Sequence, residues 1–254
     1  MKKIIACTLA LQFMYNFSFS QITLDKGLVL HYTFNGSVKD ESNNNNNPVF
    51  NNSKLVEDRF GNKNAAAYFN GVDNYIQIKN NSSLCPEEIT MVAVIKPMGF
   101  YNGKCFNNSI IDKGYLDFNP GCYALRYTAG EYTHGDCDDG DTAHQNFVGM
   151  VSGTSGKTSG DEYIKLNTWY NVVFTFNKQY CRLYLNGEMI SSYGSGGNIG
   201  KNKEDLFIGK KGNPNYPNWF NGVVDEIRIY NRSLKSEEVA ELYTQLNQKP
   251  TAAQ

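Results

Sequence analysis

Short apolar runs, separated by turn-forming residues, recur along most of the chain, as expected for β-strands. These runs cover residues 28–34, 75–78, 89–95, 171–176, 181–185, 206–208 and 223–230. Asn186-Gly187 lies between the run at 181–185 and residues 188–190, and both residues tolerate the positive φ that a type I′ hairpin turn requires. The pattern therefore predicts an all-β protein with a tight hairpin at residues 186–187.

The last of these runs carries an acidic residue among its apolar positions. Val223, Ile227 and Ile229 share one parity with Asp225. Because alternate residues of a strand face the same side, Asp225 is predicted to lie on the buried side of this strand. A buried carboxylate needs a partner that offsets its loss of hydration, so Asp225 is a candidate for a specific interaction.

A helical spacing replaces the strand pattern near the C-terminus. The apolar residues at i, i+3, i+4 and i+7 are Val239, Leu242, Tyr243 and Leu246. Acidic residues fill the early turns, where the helix dipole favours negative charge. We therefore predict one short amphipathic helix. No linker divides the chain, so we predict one domain over residues 21–248 with a frayed tail at 249–254 and a long loop insertion at 128–165.

Composition and charge exclude several classes of protein. The chain has 24 Lys+Arg against 25 Asp+Glu, with no basic cluster, so it offers no electrostatic footprint for nucleic acid. A charged fraction of 19% with 41% hydrophobic residues is typical of a globular protein rather than a disordered one. After residue 20, no run reaches the roughly 18 to 20 apolar residues of a membrane-spanning helix.

The first twenty residues have the pattern of a signal peptide. Lys2 and Lys3 precede an apolar stretch that ends near Phe19, and small residues at 18 and 20 predict cleavage before Gln21. We therefore expect an exported protein that is secreted or held at the cell surface. Disulfides persist there, and the five cysteines after residue 20 are Cys85, Cys105, Cys122, Cys137 and Cys181. They can pair in many ways, and their spacing does not choose among them.

Several short motifs follow one another in a distinctive order. They are LHYTFNG at 30–36, VKDESN at 38–43, AYFNG at 67–71, WYNVVFTF at 169–176, LYLNG at 183–187 and FNGVVDEIRIYNR at 220–232. This series resembles the laminin G-like jelly roll of the concanavalin A-like lectin and glucanase superfamily, in the form common in bacterial secreted proteins. The resemblance implies two antiparallel sheets packed face to face, with loops gathered along the rims.

The same resemblance implies a structural calcium ion. Calcium takes about six to eight oxygen ligands, so carboxylates and carbonyls from separate loops have to converge. The positions that match the family are Asp40, with Asn43 near it, and Asp225. The alternative is a carboxylate that accepts hydrogen bonds from loop N–H groups and stabilises the turn without a metal.

An acidic segment at residues 136–141, DCDDGD, is a second candidate site. Its spacing departs from an EF-hand loop because glycine is fifth rather than sixth, so we predict a solvated, disulfide-anchored loop. Together with GKC at 103–105, the segment resembles a subgroup of these bacterial domains. In that subgroup, one cysteine at the position of Cys105 and one in the later loop occur together. That resemblance implies a disulfide between Cys105 and Cys137.

Catalysis is not expected from the sequence. Glucanases of this fold place two glutamates on one strand, because retaining hydrolysis needs two carboxylates about 5 to 5.5 Å apart, and no such pattern occurs here. His31 is predicted to be structural. His134 and His144 flank the acidic segment with Tyr132 nearby, and a His–Tyr pair can act as base and acid, so a polysaccharide lyase or hydrolase remains an alternative.

Binding is the predicted function, and aromatic residues carry the argument. Tyr216 and Trp219 lie in a proline-containing loop, where their rings could stack on the C–H face of a sugar. The alternative is that Trp219, with Phe220, plugs one end of the sandwich. The candidate ligand-binding residues are Tyr132, His134, His144, Tyr216 and Trp219. We expect a monomeric, non-catalytic module for carbohydrate or, alternatively, an adhesion protein that binds a protein partner through its loop rim.

Overall fold

The computed structural model describes residues 23–103, 107–115, 119–128, 131–132, 140–141, 145–152, 164–194 and 196–249. The strands are β1 (Leu28–Tyr32), β2 (Pro48–Asn51), β3 (Lys54–Val56), β4 (Ala66–Asn70), β5 (Ile76–Ile78), β6 (Ile89–Pro97), β7 (Asn107–Lys113), β8 (Tyr123–Thr128), β9 (Glu131–Tyr132), β10 (Gly140–Asp141), β11 (Asn146–Val151), β12 (Tyr170–Phe176), β13 (Tyr180–Leu185), β14 (Glu188–Gly194), β15 (Leu206–Ile208) and β16 (Asn221–Tyr230). The helix α1 spans Ser236–Leu246. The predicted signal peptide lies outside the described residues.

The strands form two large antiparallel sheets, which confirms the predicted jelly-roll sandwich. The eight-stranded sheet has the order β14-β13-β12-β6-β16-β4-β3, and β1 also pairs with β16. The six-stranded sheet has the order β11-β8-β7-β15-β5-β2, while β9 and β10 form a separate pair. Several neighbouring strands, such as β6 with β16 and β5 with β15, are far apart in sequence, so the fold depends on long-range pairing.

One hydrophobic core fills the space between the two large sheets. The eight-stranded sheet contributes fully buried side chains such as Met91, Ala93 and Ile95 from β6. The six-stranded sheet contributes Ile111 from β7 and Leu125 from β8 to the same cluster. Burial of apolar surface at roughly 25 cal/mol per Å² is the main term that holds the sheets together.

A second, smaller core lies on the outer face of the eight-stranded sheet. There Val92 and Val94 of β6 pack with Val239, Leu242 and Leu246 of α1. The helix therefore forms as predicted. Its first residue follows Lys235, whose backbone N–H donates to the Glu238 carboxylate at 2.8 Å, so the start of the helix is capped.

The predicted hairpin is present, but a predicted loop contains a strand. Asn186 and Gly187 have φ of 52° and 85° and join β13 to β14. Residues 128–165 were expected to be a loop, whereas β11 within them pairs along its whole length with β8. Gly149 lowers the strand propensity of β11, yet a Cβ there would lie 2.0 Å from the Phe174 ring, so close packing requires glycine.

The prediction for the faces of β16 was wrong at one point. Val224 pairs with Ile95 and Glu226 pairs with Val94, so Asp225 is the extra residue of a β-bulge. The bulge changes the parity of the strand. Val224 therefore joins Ile227 and Ile229 in the core between the sheets, in place of Val223.

Candidate functional site

A group of aromatic side chains lies on the outer side of the six-stranded sheet. Phe50 of β2 and Phe207 of β15 are both register partners of Gln77, which lies between them on β5. Tyr75 lies two residues before Gln77, and Trp219 comes from the loop before β16. Because Leu206 and Ile208 face the core, Phe207 between them faces outward.

Tyr75 stands at the centre of this group. Its ring stacks on the ring of Phe50, with centroids 4.5 Å apart and planes 25° apart. The rings of Phe207 and Trp219 lie 6.2 Å and 6.1 Å from it in tilted orientations. Phe50 is 40% exposed and the other three residues are half-buried, so their rings line a surface.

One cation lies over this group. The Lys210 ammonium is 4.6 Å from the ring centroid of Tyr75, 5.2 Å from that of Phe207 and 5.1 Å from that of Trp219. Such contacts are favourable because the ring face carries negative potential. Burial lowers the pKa of Lys210. We call Phe50, Tyr75, Phe207, Lys210 and Trp219 the aromatic surface.

Trp219 and Phe220 have different positions, although one of the two interpretations of the sequence gave them the same role. Phe220 is fully buried and makes edge contacts with Phe69 at 5.9 Å and Tyr127 at 6.0 Å. It fills the core, while Trp219 belongs to the aromatic surface. The structure thus separates a core aromatic from a surface aromatic at adjacent positions.

The loop that carries Trp219 is held by backbone hydrogen bonds. The Lys211 N–H donates to the carbonyl of Pro217 at 2.7 Å, and the Ser109 N–H donates to the carbonyl of Asn218 at 2.9 Å. Tyr216 is half-buried in the same loop, where its N–H donates to the Asn213 carbonyl at 3.2 Å. These bonds hold the loop backbone in place before any ligand binds.

Polar groups border the aromatic surface beside Gln77. The Asp205 carboxylate accepts hydrogen bonds from Gln77 Nε2 at 2.7 Å, from the Asn80 N–H at 2.9 Å and from Lys79 Nζ at 3.3 Å. Burial raises the pKa of Asp205, but these donors outweigh that effect and lower it. The border therefore offers polar atoms next to the rings.

Asp40, a predicted calcium ligand, organises a turn. Its carboxylate accepts hydrogen bonds from the N–H groups of His31 at 2.9 Å, Ser42 at 3.0 Å and Asn46 at 2.7 Å. The Ser42 hydroxyl donates to the same carboxylate at 2.8 Å. Asn43 is exposed. Both Asp40 oxygens are thus engaged by loop donors.

Asp225, the other predicted ligand, pairs with an arginine. Its carboxylate lies 2.5 Å from Arg59 Nη1 and accepts a hydrogen bond from the Arg59 N–H at 3.2 Å. Burial raises the pKa of Asp225, and the charge of Arg59 only partly opposes this. Arg59 is therefore the partner that the buried carboxylate requires.

The hydrogen-bond donors around Asp40 and Asp225 do not by themselves test the predicted calcium site. Within the described residues, no cluster of three or more His, Cys, Asp or Glu side chains is placed to hold a metal ion. Asp40 and Asp225 each have their own hydrogen-bond donors instead, which favours the metal-free alternative. Calcium binding at Asp40, Asn43 and Asp225 stays a prediction.

His31 belongs to a buried ionic cluster. Its Nε2 lies 2.8 Å from Glu226 Oε1, and Arg228 Nε lies 2.5 Å from the same oxygen. Burial raises the pKa of Glu226, but His31 and Arg228 outweigh that effect and lower it. The cluster joins β1 to β16, in agreement with a structural role for His31.

The remaining candidate ligand-binding residues are placed only in part. Tyr132 lies in β9, of which the backbone alone is described. His134 and His144 lie outside the described residues, as do Cys105 and Cys137, so the disulfide stays a prediction. Of the two candidate residues whose side chains the structure describes, Tyr216 and Trp219, Trp219 belongs to the aromatic surface.

Two other cysteines surround a buried lysine. Lys113 is 1% exposed and donates to Asn202 Oδ1 at 2.5 Å. Cys85 Sγ lies 3.7 Å from the Asn202 carbonyl oxygen, and Cys122 Sγ lies 3.7 Å from Asn202 Nδ2. Burial lowers the pKa of Lys113, partly opposed by the two cysteines. The pairing of these cysteines stays open.

The sequence did not point to Phe50, Tyr75, Phe207 or Lys210. They lie in three segments that strand pairing brings together. Tyr75 and Phe207 were assigned only to strands, and Phe50 and Lys210 to no predicted element. Phe207 lies between the apolar residues Leu206 and Ile208, so strand alternation could have placed it on the outer face. No local feature of the sequence connected it with Trp219.

Comparison with known proteins places the chain among jelly-roll domains. A family model described as Laminin_G_3, of the concanavalin A-like lectin/glucanases superfamily, matches residues 70–240. No curated protein matches the chain. Within the described residues, no helix has the length and apolar character needed to cross a bilayer.

Three solved structures illustrate the similarity. The binding domain of Paraclostridial Mosquitocidal Protein 1 is 20% identical with a TM-score of 0.63, over 88% of this chain and 53% of that chain. Domain 4 of AbnA, an extracellular arabinanase from Geobacillus stearothermophilus in complex with arabinotriose, is 17% identical with a TM-score of 0.56, over 85% of this chain and 98% of that chain. Botulinum neurotoxin type C, whose cell entry depends upon interaction with two ganglioside molecules, is 12% identical with a TM-score of 0.59, over 88% and 52%. The chain spans about half the length of the toxin structures, and at these identities the likeness shows the fold alone.

Proposed function

Because the chain belongs to the Laminin_G_3 family of the concanavalin A-like lectin/glucanase superfamily, we propose that it is a non-catalytic module that binds carbohydrate. The observation that carries this proposal is the aromatic surface, in which Tyr75 and Trp219 present rings next to polar atoms. Solved structures with this fold include a toxin binding domain and an arabinanase domain bound to arabinotriose, which supports a binding role.

The geometry of the aromatic surface suits a sugar ring. Pyranose and furanose rings have an apolar C–H face that stacks on aromatic rings, and hydroxyl groups around the edge that need hydrogen-bond partners. Tyr75 and Trp219 are half-buried, so each ring is held by its neighbours while part of it faces solvent. Gln77 and Asp205 lie beside the rings and supply polar atoms for hydroxyl groups.

Binding without turnover agrees with the chemistry available near the rings. Retaining hydrolysis needs two carboxylates about 5 to 5.5 Å apart on either side of one glycosidic bond. The Asp205 carboxylate is held by three donors, including Lys79, so it is poorly placed to act as a nucleophile or an acid. We propose that the protein acts outside the cell, in accord with the signal-like pattern of residues 1–20.

Affinity electrophoresis in gels that contain single polysaccharides tests this function. The wild type is expected to be retarded by at least one polysaccharide, and Trp219→Ala and Tyr75→Ala are expected to reduce that retardation. Tyr193→Ala is the matched control, because Tyr193 is an exposed tyrosine on β14, in the opposite sheet. Cleavage of any polysaccharide, or equal retardation of all variants, would contradict the proposal.

A protein partner is the second candidate. Val49, Phe50 and Val72 are 60%, 40% and 67% exposed, and exposed apolar residues near an aromatic cluster are also found at protein interfaces. This candidate predicts no retardation by polysaccharides. It predicts instead that a Val72→Asp variant binds the protein partner more weakly than the wild type does.

A further inference from the structure

Lys210 has an unusual environment for a partly buried cation. Its ammonium contacts the three rings of Tyr75, Phe207 and Trp219. Within the described residues, no carboxylate or carbonyl oxygen accepts a hydrogen bond from it. Ring faces attract the charge but are weak hydrogen-bond acceptors, so its N–H donors are available to a ligand.

Three partly buried arginines in the described residues have an anionic partner instead. Arg59 pairs with Asp225 at 2.5 Å, Arg228 with Glu226 at 2.5 Å and Arg232 with Glu238 at 2.8 Å. Lys79, beside the aromatic surface, pairs with Asp205 at 3.3 Å. The Asp205 carboxylate at the border is therefore already paired, and the Lys210 ammonium is a positive charge in contact with three rings.

A saccharide with an acidic group would complete this environment. A charge-assisted hydrogen bond is roughly twice as strong as a neutral one, and partial burial among rings strengthens it by excluding water. A neutral sugar would stack on Tyr75 or Trp219 but would leave the charge of Lys210 without a counter-charge.

We propose that the aromatic surface binds an anionic saccharide, whose carboxylate or sulfate is bound by Lys210 while its ring stacks on Tyr75 or Trp219. This inference rests on the proposed carbohydrate-binding function and names the ligand class for the same site. Uronic acids and sulfated sugars share the chemistry that Lys210 recognises.

The test measures binding to three sets of polysaccharides. The first is carboxylated, represented by polygalacturonate and alginate, with methyl-esterified polygalacturonate as its uncharged counterpart. The second is sulfated, represented by dextran sulfate with unmodified dextran as its counterpart. The third is neutral, represented by arabinan and xylan. Retention by polygalacturonate but not by its ester identifies a carboxylate, and retention by dextran sulfate but not by dextran identifies a sulfate.

Variants then assign the charge recognition to one residue. Lys210→Met is expected to raise the Kd for the anionic ligand by about tenfold or more, the loss expected for a charge-assisted hydrogen bond. Lys210→Arg is expected to retain most of the binding because it keeps the charge. Lys54→Met changes the net charge equally at an exposed residue of β3 in the other sheet, and it should bind like the wild type.

Failure of this inference differs from failure of the proposed function. Binding of a neutral polysaccharide that depends on Trp219, without binding of any anionic one, would overturn the proposal of an anionic ligand. The same result would support the proposed carbohydrate-binding function. Absence of binding to all three sets would overturn both. If Lys210→Met lowers the melting temperature, two measurements on the wild type test the anionic ligand instead. The methyl ester has to bind more weakly than polygalacturonate, and anionic binding has to weaken between about 50 and 500 mM NaCl.

Discussion

Replacement of Trp219 by alanine, compared with Phe220→Ala, tests whether two adjacent aromatic residues have separate roles. Phe220 is fully buried between Phe69 and Tyr127, so its truncation leaves a cavity in the core. Large-to-small replacements of buried aromatic residues cost about 3 to 5 kcal/mol of unfolding free energy. We therefore expect a loss of that size for Phe220→Ala.

Trp219 should contribute less to stability and more to binding. Its ring is half-buried, so truncation removes roughly half of that burial, about 1.5 to 2.5 kcal/mol. Lys210 keeps two of its three ring contacts, so the lost cation–π contact adds only about 0.5 kcal/mol. Loss of stacking should cost about 1 to 2 kcal/mol of binding, roughly a ten- to thirtyfold rise in Kd.

Calorimetry or urea unfolding of both variants, with binding measured on the same preparations, checks these values. One kcal/mol corresponds to about 2 to 4 °C for a domain of this size, so Phe220→Ala should melt well below Trp219→Ala. Equal destabilisation by the two replacements, with ligand affinity unchanged in Trp219→Ala, would show that Trp219 is a core plug and refute the reasoning.

Four further outcomes are expected. Arg59→Met should destabilise the protein by about 3 to 5 kcal/mol in urea unfolding, because it leaves the buried Asp225 carboxylate unpaired, and a change under 1 kcal/mol would contradict the ion pair. Because the pKa of Glu226 is lowered in the folded state, its stabilisation is present above the ordinary value of 4.5 and is lost as pH falls through the folded value, so unfolding of Glu226→Gln should depend less on pH in that acidic window. If calcium binds the predicted site that includes Asp225, a hundredfold excess over Kd adds about 2.7 kcal/mol, and an unchanged melting curve in EDTA excludes the site. Peptide mapping without reduction should find Cys105 joined to Cys137, and either residue paired elsewhere would overturn that bridge.

Buried acidic residues show how far local patterns reach. The sequence indicated that Asp225 would be buried and would need a partner, and both statements hold. The partner could not be read from the sequence, because Arg59 lies in a distant segment whose position depends on how β3 and β4 join the sheet. The β-bulge was also missed, because alternation alone cannot show an extra residue that has no partner across the ladder.

The aromatic surface also combines residues that local patterns identify with residues that they do not. Tyr216 and Trp219 stood out because aromatic residues in a proline-containing loop are easy to recognise. Phe207 and Tyr75 looked like ordinary strand residues, and Lys210 followed a turn glycine without any local sign of function. Only the pairing of β5 with both β2 and β15 brings their rings together.

The amino-acid sequence by itself determined several of the strands, among them β6, β12 and β16, together with the hairpin at Asn186-Gly187, the C-terminal helix and the superfamily. These depend on alternation, turn residues and motifs within short windows. The tertiary structure alone decided which buried charges pair, that Phe220 enters the core while Trp219 remains at the surface, and that Lys210 lies among three rings. The physical reason is that each of these features joins side chains from segments far apart in the chain. Their distances are set by strand order and register, which short-range patterns do not contain.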